Sequence, residues 1–487
     1  MSSNSVSPSS SGYKTFTHGA LISFVGVLLA GIIGYLIRRV LVLNLSSVEY
    51  GFFYSVFSLV SLGLAVVDLG LGNSGTVLMS KYAALKEGGR VNLFFSIIII
   101  IKFLTGILLG LLIWFWAPYL LSNYFSFPGG LTTVLCLALF VPLQSVAGFV
   151  ISCLEAKQDF KARTVVQIIY YVTVLGLVMS LTANLKSLAP ALAYSVAAIL
   201  TLMGGFIYLK TRHGLHFDWH YKNWFAVFPE TWIYARWLTL SIIALATMNY
   251  IDTLMLTWLN DLNSVAGYQV ALPIAQIARS LIFLPIIFMP IATDLWQRRQ
   301  LTQIKEICSF VTLLMVFCAG AGFLLLLPLA GDLISLLFDD RYRWAAPTLV
   351  VLGSGMPILV VAQFYLNTLN GMEMPRIAAI ASLIGLLVNI VLNLTLIPRF
   401  GTLGAALATL LSYLLIVLFT YLTLRRELAL NLSWRPMLSL LIMALLMSVV
   451  GCQLCVGWAW LLVALPLYCG VGFFLLHSRF VALQHSQ

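Results

Sequence analysis

Fourteen apolar stretches, each long enough to cross a bilayer, fill this chain almost end to end. Hydrocarbon offers no partner to a backbone N–H or C=O, so a chain can cross it only as helices or as a closed barrel. Continuous runs of about 20 apolar residues, rather than short alternating ones, select helices. The chain is 61% hydrophobic and only 9% charged, with a mean hydropathy of +1.02, far from the balance of a soluble globular protein. No polar stretch is long enough for a soluble domain. The fold class is therefore all-α and integral to a membrane.

The helices are expected near 19-43, 50-72, 93-117, 131-153, 164-184, 189-210, 232-258, 264-290, 307-330, 344-369, 377-397, 402-424, 435-454 and 457-476. An even number of spans puts both ends of the chain on one side of the membrane. Most of the 27 Lys and Arg residues fall in the loops of that side, while the opposite loops hold only Lys186, Arg341, Arg343 and Arg399. The positive-inside bias makes both termini cytoplasmic in a cell membrane. It also gives the net charge of +11 an ordinary cause, namely basic loops touching anionic lipid heads. The Ser-rich first residues lack the order of a cleavable signal and read as a tail.

A short pattern recurs across the chain. Leu45-Ser46-Ser47-Val48-Glu49-Tyr50-Gly51 joins spans one and two, and Leu262-Asn263-Ser264-Val265-Ala266-Gly267-Tyr268 joins spans seven and eight. Six spans separate the two turns, as parallel repeats about an axis along the membrane normal require. The expected organisation is a disordered cytoplasmic tail over 1-18, a six-helix lobe over 19-210, an aromatic-rich interfacial linker over 211-231, a second six-helix lobe over 232-424, and two further helices and a tail over 425-487. In such a design polar groups of both lobes converge on a site near the midplane.

Charged side chains inside the spans are the best markers of such a site, because each costs several kcal/mol in lipid unless it meets a partner or water. Arg279 lies near the middle of span eight, on one helical stripe with Gln269 and Gln276, and Pro273, Pro285 and Pro290 give that helix places to bend. Lys102 lies mid-span, beyond snorkelling reach of either interface; it either lines a cavity or forms an ion pair inside the first lobe. Of the neighbours Arg38 and Arg39 only one can face inward, and Arg38, one turn above Gly34, is the better placed. Asp252, with Asn249 on the same face, and Asp68 are candidates for coupling to an ion, or for pairing with an interior Arg. Polar stripes at Gln144, Gly148 and Ser152, at Gln363, Asn367 and Asn370, and at Asn389 and Asn393 fit helix–helix glue as well as ligand contact.

Several chemistries are excluded. Gly70-Leu71-Gly72-Asn73-Ser74-Gly75 has the dinucleotide spacing but follows an apolar helix rather than a strand. Cys452 and Cys455 lie in a lipid-embedded helix, and His213, His216 and His220 lack accompanying Cys or acids, so neither a redox motif nor a metal site is expected. No nucleophile–base pair, catalytic carboxylate pair or P-loop is present, so the chain reads as a non-enzyme without a cofactor. A soluble basic module that could bind nucleic acid is also missing.

The stretch from Asn370 to Tyr413 carries Asn389 and Asn393, then Pro398-Arg399-Phe400-Gly401, then Gly404-Ala405-Ala406-Leu407-Ala408-Thr409. Together with Ser47-Val48-Glu49-Tyr50-Gly51 and Asp68-x-Gly70-Leu71-Gly72, it resembles the polysaccharide-transporter branch of the multidrug/oligosaccharidyl-lipid/polysaccharide exporter superfamily. The resemblance covers essentially the whole chain. It implies two pseudo-symmetric six-helix lobes in a V around a central cavity, with two extra helices alongside. It implies a flippase that moves a polyprenyl-diphosphate-linked oligosaccharide from the inner to the outer leaflet for cell-surface polysaccharides such as the O-antigen of lipopolysaccharide. Arg279, Lys102 and Arg38 would attract the diphosphate while Gln276, Gln269 and Asn249 meet sugar. Membrane lipids and other glycan-assembly membrane proteins are the candidate partners. A cation-coupled multidrug antiporter and a non-transporting scaffold of a glycan-assembly complex are the rival readings.

Overall fold

A computed structural model of the chain describes residues 10–68, 70–85, 87–218, 224–277, 283–453 and 458–485, some helix ends by backbone alone. Among them every regular element is helical, as the unbroken apolar runs require. Among the described residues twelve helices are long and apolar enough to cross a membrane. The difference from fourteen has two sources. Expected spans eleven and twelve run together as one helix of 54 residues, Pro375–Leu428. At 1.5 Å per residue that is about 80 Å, far more than a bilayer core needs. Gly401 interrupts it at φ 54, ψ −128, a conformation other residues resist, so two spans meet at that glycine. Span eight, in turn, is described as two shorter helices on either side of 278–282.

The chain divides into two compact units, Met1–Arg236 and Trp237–Gln487. The first contains α1 (Ser10–Asn44), α2 (Ser47–Val67), α3 (Leu71–Ala84), α4 (Gly88–Tyr119), α5 (Leu131–Ala156), α6 (Phe160–Leu185) and α7 (Leu188–His213). Helix α1 begins within the 1-18 stretch read from sequence as a tail. Ser46 caps α2: its hydroxyl accepts the Glu49 N–H, and Glu49 takes the Ser46 N–H at 3.0 Å in return. Span two is not one rod. Helix α2 stops at Val67, Gly70 takes a left-handed φ of 69°, and α3 restarts at Leu71.

Helix α4 packs closely on α5, and two glycines allow it. A Cβ on Gly106 would stand 2.8 Å from the Pro142 Cα, and one on Gly110 would stand 2.6 Å from the Ala138 carbonyl oxygen. Gly106 and Gly110 are spaced i, i+4, the small-residue pattern that lets membrane helices approach backbone to backbone. Helix α5 also packs on α7, and α6 packs on α1 and α7.

The second unit contains most of α8 (Trp224–Leu259), then α9 (Leu262–Ala275), α10 (Phe283–Gln297), α11 (Leu301–Leu337), α12 (Ala346–Gly371), α13 (Pro375–Leu428), α14 (Trp434–Gln453) and α15 (Trp458–His485). Asp261 caps α9 by accepting the Ser264 N–H at 2.7 Å, so the turn that resembles the Ser46 turn also begins with a side-chain cap. Helices α14 and α15 lie against α11, where the Tyr468 hydroxyl donates to the Phe317 carbonyl at 3.1 Å.

Candidate functional site

Asp252 is the most deeply set carboxylate of the second unit, at 3% exposure. It sits on α8, whose apolar length would carry it into hydrocarbon with no solvation of its own. Four neutral side chains replace water. Tyr268 of α9 donates its hydroxyl at 2.8 Å, and Asn393 and Asn389 of α13 donate amide N–H at 2.8 and 3.4 Å. The Thr409 hydroxyl, from beyond the Gly401 break, donates as well. One face of α13 supplies both asparagines, because i, i+4 residues stack in a helix, and Asn393 further donates to the Asn389 Oδ1 at 3.1 Å.

Among the described residues Asp252 has no cationic partner. The Asn393 Oδ1 is buried there without a hydrogen bond. A carboxylate ringed by neutral donors, beside an amide oxygen with lone pairs to spare, can take up a proton or a small hard cation through oxygen atoms. A narrow cavity lined by Gly355, Met356, Leu359, Ala406, Thr409 and Tyr413 reaches the cluster at Thr409. No group of three His, Cys, Asp or Glu suited to a metal occurs among the described residues.

In the first unit Lys102 of α4 is 4% exposed, and its ammonium is paired with Asp68. Of the two sequence readings of Lys102, the ion pair is present. Asp68 also accepts the Gly72 N–H at 3.3 Å, so the same carboxylate joins α4 to the break between α2 and α3. The Ser145 hydroxyl of α5 donates to the Lys102 carbonyl at 3.1 Å. Arg38 lies elsewhere in this unit. Its guanidinium stands over the Tyr54 ring, 4.8 Å from the centroid, with Tyr50 and Tyr194 beside it. Arg39 instead donates to the Tyr35 hydroxyl at 3.2 Å.

The remaining predicted residues are scattered around these centres. Gln269 is buried and donates to Thr253, the neighbour of Asp252, at 2.8 Å. Gln276 caps α9 and is half-buried, and Asn249, although one turn from Asp252, is exposed. Arg279 lies outside the described residues. Tyr268 and Thr409 are the partners of Asp252 that sequence reasoning passed over, although both stand within the quoted motifs. His213 and His216 hold no common ligand: the first meets Asp159 at 3.1 Å and the second Asn92 at 3.2 Å.

The model of the polysaccharide biosynthesis protein family matches residues 16–296, more than half of the sequence. The chain belongs to this family. A second family model, MatE, matches residues 238–395. An uncharacterized membrane protein of Methanocaldococcus jannaschii is 25% identical over 414 residues, which cover 80% of each chain. A protein of Haloferax volcanii named a "probable low-salt glycan biosynthesis flippase" is 24% identical over 285 residues, covering 57% of this chain and 58% of that protein. Among solved structures the lipid II flippase MurJ, in an inward closed conformation, matches with a TM-score of 0.73 at 15% identity, covering 95% of this chain and 100% of its own. An inward-facing multidrug resistance MATE family transporter matches with a TM-score of 0.65 at 11% identity, covering 84% and 98%. The polysaccharide biosynthesis family here takes the fold shared by those transporters, in a chain with many helices long and apolar enough to cross a membrane.

Proposed function

We propose that the chain moves a polyprenyl-diphosphate-linked oligosaccharide from the inner to the outer leaflet of the cell membrane, by alternating access, for a cell-surface polysaccharide. Both termini are cytoplasmic in this reading. The observation that carries it is the Arg38 guanidinium held among tyrosines in a span whose sequence is apolar apart from the Arg38-Arg39 pair. The cargo has a charged diphosphate and many hydroxyls, and stripping their hydration in lipid costs several kcal/mol per unsatisfied group. A fixed guanidinium offsets that cost with paired hydrogen bonds to phosphate oxygens, while the polyprenyl tail stays in lipid.

In this scheme Arg38, Arg279 and Lys102 attract the diphosphate, and Gln269, Gln276 and Asn249 meet sugar. Asp252 is the coupling group. Its ring of neutral donors suits a site that takes up H+ or Na+ and changes its charge state during the cycle. Asp68 is the second coupling candidate, acting through its hold on Lys102. The family's description as a polysaccharide biosynthesis protein, and the glycan flippase among its relatives, support the cargo class.

The test is export of surface glycan by cells carrying Arg38→Ala and Arg279→Ala at unchanged protein level in the membrane. Loss of export is expected, and normal export removes these residues from the site. Purified protein in proteoliposomes separates the rival functions. Movement of the lipid-linked headgroup supports the flippase, drug efflux alone supports an antiporter, and neither supports a scaffold.

A further inference from the structure

Helices α1, α2, α5, α6 and α7 of the first unit bring together a group of tyrosines that the diphosphate does not require. Tyr194 of α7 packs on Phe57 of α2 at 4.9 Å between centroids, and Tyr170 of α6 lies 6.3 Å from Tyr194. The Tyr170 hydroxyl donates to the Gln144 side chain of α5 at 3.3 Å. Tyr194 is also within electrostatic reach of Arg38, so the rings and the cation form one continuous group.

Two observations set this group apart from ordinary core packing. Arg38, Gln144, Tyr170 and Tyr194 are only half-buried, although all lie on membrane-crossing helices. Gly34 and Gly148, each one turn from Arg38 and Gln144, face open space, since an added Cβ would meet no atom within 4 Å. Open space therefore lies beside the group. Its chemistry is that of a sugar site. An aromatic face is electron-rich and attracts the C–H face of a pyranose, while a tyrosine hydroxyl and a primary amide exchange hydrogen bonds with ring hydroxyls.

We infer that Tyr170, Tyr194 and Gln144 read sugar as well, in addition to Gln269, Gln276 and Asn249, holding the saccharide next to the diphosphate that Arg38 takes. This assignment rests on the flippase reading. It makes the first unit a discriminator of headgroups as well as a phosphate binder, with affinity for glycan added to affinity for charge.

The experiment uses the full chain in proteoliposomes with two fluorescent lipids on the same carrier, bare polyprenyl diphosphate and polyprenyl diphosphate bearing an oligosaccharide. Tyr194→Leu and Tyr170→Leu are expected to slow the glycosylated lipid about tenfold relative to the bare one, the loss of roughly one good contact. Tyr194→Phe, which keeps the stacking face, is expected to stay within about twofold of the unmodified protein. Leu variants that slow both lipids alike, or neither, overturn the assignment and leave the rings as membrane-interface anchors. An unmodified protein that moves neither lipid overturns the flippase reading itself, so the two failures are distinguishable. Calorimetry of the detergent-solubilised unmodified protein needs no variant. A free oligosaccharyl diphosphate that binds no more tightly than inorganic diphosphate also overturns the assignment.

Discussion

Asp252 and Asn393 lie 141 residues apart in the chain and meet at 2.8 Å inside the second unit. The contact ties α8 to the first half of α13, and Thr409, from beyond Gly401, binds the same carboxylate. One carboxyl group thus bridges a helix pair and the glycine break between two spans. Any change in its charge must be felt by all of them.

Asp252→Asn removes the charge while keeping the volume. Its new amide N–H groups face the donors of Tyr268, Asn393 and Thr409, so the variant is expected to lose about 1–3 kcal/mol of stability. Its main effect is functional. Flipping in proteoliposomes is expected to become insensitive to imposed Na+ and pH gradients and to slow at least about tenfold. Gradient dependence equal to that of the unmodified protein would exclude Asp252 from coupling.

Lys102 and Asp68 invite a double-mutant cycle. Lys102→Met leaves Asp68, whose side chain is 31% exposed, without its cation and is expected to cost about 1–3 kcal/mol. Asp68→Asn with Lys102→Met is expected to recover most of that loss, read as the midpoint of thermal unfolding in detergent. The reversed pair, Asp68→Lys with Lys102→Asp, then separates two roles. Restored stability with restored glycan export makes the pair purely structural; restored stability without export assigns Lys102, Asp68 or both to transport.

Gly106→Leu tests the packing beneath that pair. Its Cβ would fall 2.8 Å from the Pro142 backbone, which cannot swing aside as a flexible side chain can. Overpacking of this kind costs about 1–3 kcal/mol, and a branched side chain belongs at the upper end. The yield of folded protein after detergent extraction is expected to fall, whereas Gly148→Ala, where a Cβ meets nothing within 4 Å, is expected to leave it unchanged.

The spans were legible because hydrocarbon thickness imposes one length on every crossing helix. The i, i+4 spacing of Asn389 and Asn393 likewise placed both on one face, which the structure turns toward Asp252. What they faced was not legible, since Asp252 and Thr409 are 157 residues apart and no local pattern links them. Lys102 and Asp68 were each conspicuous, yet a mid-span cation is equally at home in a cavity or in an ion pair until its neighbour is known. The tyrosines beside Arg38 were hidden differently: in a chain with 20 Tyr and 30 Phe, no single ring stands out until several helices bring them together.

Asp159 provides a test outside the membrane-crossing segments. It caps α6 by accepting the Ala162 N–H at 3.1 Å, and it also accepts the Tyr208 hydroxyl at 2.9 Å and meets His213. Partial burial alone pushes its pKa up, but these donors outweigh burial and hold the carboxyl below the usual aspartate value. A pKa that is lower folded than unfolded means that the contribution is fully present above the unfolded value, about 3.9, and disappears as pH falls through the folded one. Thermal unfolding in detergent between pH 6 and pH 3 is therefore expected to show an acid-side loss that Asp159→Asn reduces by about 1–2 °C. At neutral pH the same substitution lowers stability, because an amide is a weaker acceptor for the cap and for Tyr208. Identical acid-side slopes for the two proteins would show that the junction of α5 and α6 draws no stability from this charge.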